Sequence, residues 1–161
     1  MNIWIVLAVS LAAALVGFHN YIWFFSVGYG LAIAVIGTTL AIGFRGSINL
    51  PELLACILLV VYGLRLSGYL LIREIRSAAY RNLLNPEIER SKKMSLGVKT
   101  ALWLVCGLMY VLMTSPLFFR LKNGAPADIM LWMGLAVMVC GIILEAAADL
   151  QKTAAVDRLT P

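Results

Sequence analysis

The chain has 161 residues, of which 62% are hydrophobic and only 13% charged; thirteen basic and eight acidic side chains give a net charge of +5. That composition excludes an ordinary soluble domain, which carries about twice the share of charged residues. Apolar stretches near the twenty-residue spanning length recur along the chain and point to a polytopic membrane protein. They are continuous rather than alternating, which excludes a transmembrane barrel. The expected fold is therefore all-α: a single transmembrane helix bundle over residues 1–161 with about five spans.

The first apolar run, residues 2–17, ends at the polar break His19-Asn20. A cleavable signal peptide would begin with a positive segment, but no basic residue precedes Arg45, so the run reads as a retained span. The second run, residues 21–44, carries Ser26, Gly30, Ala34 and Thr38 at four-residue spacing. Such a stripe lets another helix approach closely, either from the same chain or from a second copy in a homo-oligomer. Gly28-Tyr29-Gly30 lies inside a continuous apolar run, so it reads as packing rather than as a dinucleotide-binding turn.

Residues 43–50 make the next break, and Pro51 suits the first turn of a third span, residues 51–72, which contains Arg65. A polar loop over residues 73–95 follows, with Arg73, Arg76, Arg81, Arg90, Lys92 and Lys93. Its Asn85-Pro86 step favours a turn flanked by short helical pieces. The fourth span, residues 98–118, is expected to bend or end near Ser115-Pro116. A short loop, Arg120 to Asp128, leads to the fifth span, residues 129–150. Trp4, Trp23, Trp103 and Trp132 each fall near the beginning of a span, where an interfacial aromatic belt places them.

Cys56, Cys106 and Cys140 sit in three different apolar runs and read as small packing residues. The lone His19 reads as interfacial, and no metal-ligating constellation is present. The positive charge is concentrated in one loop, which fits a topology signal rather than nucleic-acid binding. By the positive-inside rule the loop at residues 73–95 is cytoplasmic, the N-terminus outside and the C-terminus inside, in the inner or plasma membrane. Lys152 and Arg158 agree with that orientation.

Glu145 and Asp149 stand one helical turn apart in the last apolar run, where each carboxylate needs a partner or water. With that topology, Arg65 and Glu145 lie at similar depth, about 10–12 Å inside the cytoplasmic ends of their spans, and Asp149 about 5 Å inside. Arg65 is then a natural protein partner for the acids, since a guanidinium grips a carboxylate or phosphate through parallel hydrogen bonds. The bland alternative is that Arg65 snorkels to the interface and Asp149 caps the wet end of its span.

The segment Gly63-Leu64-Arg65-Leu66-Ser67-Gly68-Tyr69-Leu70-Leu71-Ile72-Arg73-Glu74-Ile75-Arg76-Ser77, continued by Ala79-Tyr80-Arg81, resembles the arginine-centred segment of the steroid 5-alpha-reductase-like membrane family, in its prokaryotic branch. So does Ser115-Pro116-Leu117-Phe118-Phe119-Arg120-Leu121-Lys122-Asn123-Gly124. Glu145-Ala146-Ala147-Ala148-Asp149-Leu150-Gln151-Lys152 matches that family's E-x-x-A-D-x-Q-K signature. The resemblance implies NADPH-dependent reduction of a carbon–carbon double bond conjugated to a carbonyl, on a small lipophilic substrate. It implies cofactor binding by Glu145, Asp149, Gln151 and Lys152, with Arg65 and Arg73 suited to its phosphates. The catalytic acid is not identified; Tyr69 and Tyr80 are candidates by chemical type. Family members continue into a segment resembling G-L-Y-x-x-x-R-x-P-N-Y-x-G-E, which this chain lacks, so it covers somewhat more than half of a typical member and the cradle is expected to be incomplete. Two other readings stand beside this one: a non-catalytic membrane scaffold, and a relative of the S-adenosylmethionine-dependent membrane methyltransferases.

Overall fold

Among the described residues of the computed structural model, every regular element is helical. It describes residues 1–19, 21–76 and 78–159, with side chains for all of these except 21, 78–81, 83, 91 and 153–159. Asn20, Ser77 and the side chains of Tyr80, Arg81 and Arg158 thus lie outside the described residues. The helices are α1 (Ile3–Ala14), α2 (Val27–Gly43), α3 (Leu50–Arg76), α4 (Ala78–Lys93), α5 (Leu96–Asn123) and α6 (Ile129–Leu159). Two single 3-10 turns, Leu15–Phe18 and Tyr21–Phe24, lie between α1 and α2. The chain divides into two compact units, Met1–Ala125 and Pro126–Pro161.

Among the described residues, four helical segments are long and apolar enough to cross a membrane: Ile22–Gly43, Leu50–Arg76, Leu96–Asn123 and Ile129–Lys152. The first apolar run forms only the shorter helix Ile3–Phe18. At 1.5 Å per residue it reaches about 24 Å, less than the ~30 Å hydrocarbon core. It is nonetheless integral to its unit, since Val6, Ser10 and Ala14 are buried and α1 packs on α2 and α5. The Ser10 hydroxyl donates to the Gly107 carbonyl at 3.0 Å and the Trp103 indole N–H to the Leu11 carbonyl at 2.8 Å. Polar side chains thus fasten a helix that lipid alone holds weakly.

The tightest packing joins α2 to α3. A Cβ on Gly30 would lie 2.7 Å from the Gly63 carbonyl oxygen, and one on Gly63 would lie 2.7 Å from the Ala34 nitrogen. Gly37 meets the Cys56 carbonyl in the same way. The small-residue stripe expected in the second span therefore serves a neighbour in the same chain, but its contact line runs Gly30, Ala34, Gly37. Thr38 is exposed and its hydroxyl donates to the Ala34 carbonyl at 2.9 Å, while Ser26 donates to the Ile22 carbonyl at 3.0 Å. Both hydroxyls are satisfied by a carbonyl four residues earlier in the chain, as a span in lipid requires. Cys56 and Cys106 are buried in the core. Large side chains such as Val61, Leu64, Leu108 and Leu112 face outward, the arrangement of a bundle solvated by lipid.

Two proline steps differ from expectation. The chain does not turn at Asn85-Pro86: α4 runs through it from Ala78 to Lys93. Nor does the fourth span end near Ser115-Pro116, since α5 continues through Pro116 to Asn123 and takes Arg120 and Lys122 into its last turn. Proline removes the donor that the Leu112 carbonyl would normally receive. The Ser115 hydroxyl donates to that carbonyl instead, at 2.8 Å, so the helix survives its proline. It ends at Gly124, whose φ of +58° is the left-handed cap that glycine adopts without strain.

Candidate functional site

α3 presents two faces with different work. One carries Cys56, Gly63 and Ser67 against α2, and the Ser67 hydroxyl donates to the Val27 carbonyl at 2.8 Å. That contact fixes the rotation of α3 and hence the direction of a second face. Tyr62, Arg65, Tyr69 and Arg73 follow at intervals of three, four and four residues, which places them on a stripe about 80° wide. All four are half-buried. Arg65 and Arg73 are about 12 Å apart along the axis, with the Tyr69 phenol between them.

The stripe continues into an aromatic cluster inside the bundle. The Tyr62 hydroxyl lies 3.5 Å from that of Tyr29, and their rings meet edge-on at 6.2 Å. The Tyr29 ring packs 5.4 Å from Tyr110, whose hydroxyl donates to the Phe24 carbonyl. Three phenols from α2, α3 and α5 thus converge where lipid-facing spans have no use for hydroxyl groups. At the α4 end of α3, the Trp23 indole N–H donates to the Glu74 carboxylate at 2.9 Å, and the His19 ring lies 5.3 Å from Trp23. The acid beside Arg73 is thereby engaged by an aromatic donor at the level where interfacial tryptophans sit.

In the second unit, α6 is one unbroken helix from Ile129 to Leu159, started by the Asp128 carboxylate accepting the Leu131 N–H at 3.0 Å. Glu145, Asp149 and Lys152 share one face of it, at intervals of four and three. Gln151 lies more than 100° round the helix from that face. Gln151 and Lys152 are helical because α6 continues beyond the expected end of the span at Leu150.

A fourth feature went unnoticed in the sequence. Glu52, 2% exposed, lies with its Oε1 3.9 Å from Nε of Arg120, and its Oε2 accepts the Asn49 N–H at 3.1 Å. The second contact is half of a capping box, in which the third helical residue reaches back to the N-cap. The first ties the start of α3 to the last turn of α5. An acid at a helix N-terminus and a base at a helix C-terminus each suit the local dipole. The readable signal was two opposite charges predicted on one side of the membrane at the ends of spans three and four.

Residues 11–158 match the family described as "Protein of unknown function (DUF1295)". The chain belongs to this family. Its members are uncharacterised membrane proteins related to steroid 5-alpha-reductase. No curated protein and no solved structure matches the chain. The DUF1295 match takes in both the α3 stripe and the α6 carboxylates, so Arg65, Arg73, Glu145, Asp149, Gln151 and Lys152 all lie inside the family segment.

Proposed function

We propose that this DUF1295 protein is a membrane-embedded reductase that uses NADPH to saturate the conjugated C=C bond of a lipophilic enone. The observation that carries the reading is the half-buried stripe of α3, where Arg65 and Arg73 flank Tyr69. Cations in an apolar span are costly, and two guanidiniums on one face suit an anionic ligand with several phosphate oxygens. The relation of the family to steroid 5-alpha-reductase supports the same reading.

Each unit carries side chains whose chemistry would suit part of NADPH. Arg65 and Arg73 would hold phosphate oxygens. Glu145 and Asp149 would accept hydrogen bonds from ribose hydroxyls and the carboxamide, with Lys152 on the same face as a further polar contact, whereas Gln151, also expected from the resemblance, is off that face of α6. When bound, the reduced nicotinamide supplies the hydride. Tyr69 would, by chemical type, be a phenol able to donate a hydrogen bond to a substrate carbonyl. The α4 end of the bundle and the C-terminus face the cytoplasm in this proposal, because the basic residues concentrate there and NADPH is a cytosolic cofactor.

Titration of NADPH into the full chain in nanodiscs, followed by quenching of tryptophan fluorescence, tests the reading. Saturable binding should weaken at least tenfold in Glu145→Ala, Asp149→Ala and Arg65→Ala while helical content is unchanged. No binding by the native chain would favour the scaffold reading. Binding of S-adenosylmethionine without NADPH would favour the methyltransferase reading.

A further inference from the structure

The segment from Arg73 to Lys99 holds seven basic side chains against three acidic ones, so it carries most of the net charge of the chain. The topology gives this charge a location. α3 ends at Arg76 and α5 starts at Leu96, so α4 lies at one end of the bundle between two spans, packed on α3 and on the turn Tyr21–Phe24. It is two-faced: Leu84 and Ile88 are half-buried, while Asn82, Asn85, Arg90, Lys92 and Lys93 are exposed. The Trp23 indole at the same end marks the level of the lipid headgroups.

The acids of α4 do not neutralise it. Arg90 meets Glu87 at 3.4 Å and Lys92 meets Glu89 at 2.7 Å, with side chains 42–71% exposed. Ion pairs this open contribute little and exchange readily for other anions. An amphipathic helix joined at both ends to membrane spans and bearing exchangeable cations on its wet face meets one surface rich in anions, the phosphodiester headgroups of its own leaflet.

We propose that α4 is an interfacial helix that recruits anionic phospholipid headgroups through Arg90, Lys92 and Lys93, with Glu87 and Glu89 as internal competitors that limit the attraction. The partner is the lipid surface, and the inference is independent of the reductase reading. Each cation near an anionic surface favours it about fivefold, a preference that weakens as salt rises.

The test uses the full chain in neutral detergent with equimolar phosphatidylglycerol and phosphatidylcholine, the bound lipids being counted by native mass spectrometry. The native protein should retain phosphatidylglycerol about tenfold over phosphatidylcholine. Arg90→Gln/Lys92→Gln/Lys93→Gln should fall to near parity, whereas Lys122→Gln at the other end of α5 should keep the native ratio. Glu87→Gln/Glu89→Gln should raise the ratio, a gain that a misfolded variant cannot mimic and that decides the matter if the triple variant does not fold. Parity in the native protein, an unchanged ratio in the folded triple variant, an equal fall in Lys122→Gln, or no gain in Glu87→Gln/Glu89→Gln each overturns the proposal. Loss of bound phosphatidylglycerol on adding millimolar inorganic pyrophosphate would reassign the cations to a soluble anion and overturn it as well.

Discussion

Replacing Arg120 by methionine removes the cation that faces a carboxylate with 2% exposure. Glu52 would keep the Asn49 N–H on Oε2 but would lose the charge that lies 3.9 Å from Oε1. Breaking one side of a buried ion pair typically destabilises a protein by about 3–5 kcal/mol, because the remaining charge is left in a poor solvent. The Arg120 side chain is 17% exposed and the contact is longer than a hydrogen bond, so the lower end, about 3 kcal/mol, is the expected loss. That corresponds to roughly a hundredfold shift in the unfolding equilibrium. Glu52→Gln should lose only about 1–2 kcal/mol, since the amide oxygen can still accept from Asn49 and Arg120 can turn toward the interface. The double variant Glu52→Gln/Arg120→Met should be more stable than Arg120→Met alone, because no charge stays buried. Unfolding in mixed micelles, followed by circular dichroism, measures all three. Singles whose losses simply add, or an Arg120→Met variant no worse than Glu52→Gln, would refute the argument.

Two further outcomes follow from the packing. Gly63→Ala forces a methyl group into the Ala34 and Gly30 backbone, where nothing can move aside. It should destabilise the bundle by about 1–3 kcal/mol in the same unfolding assay, while Gly68→Ala, which meets nothing within 4 Å, should be neutral or better. Ser115→Ala orphans the Leu112 carbonyl freed by Pro116 and should lose about 1 kcal/mol. Thr100→Val removes the hydroxyl bond to Leu96, but that carbonyl keeps its helical donor, so the loss should be near zero. Equal losses at the two positions would sink the account of how α5 passes its proline.

The spans were legible because insertion into lipid is decided helix by helix: a run such as residues 129–150 must close its own backbone hydrogen bonds wherever its neighbours lie. The boundaries were less legible where a side chain repairs a local defect. Pro116 reads as a bend or a stop, and that the helix continues is explained only when the Ser115 hydroxyl is seen on the Leu112 carbonyl. Arg65, Glu145 and Asp149 stood out because charges inside apolar sequence are anomalous without any knowledge of packing, whereas Arg73, in the polar segment, entered only through the family resemblance. Tyr62 did not stand out, because a tyrosine in a span is ordinary until Tyr29 and Tyr110 converge on it.

By itself the sequence determined the class of the fold, the segments apolar enough to span a membrane and the stretch of chain in which basic residues gather. Each of these follows from the solvation of one segment at a time. The tertiary structure alone decided which helix fills the Gly30–Ala34–Gly37 groove and which face of α3 turns inward as a consequence. It alone brought Glu52 to Arg120 across 68 residues of sequence. Contacts of that kind depend on the rotation and register of whole helices. Those are set by the few places where two backbones come close enough that only glycine fits between them.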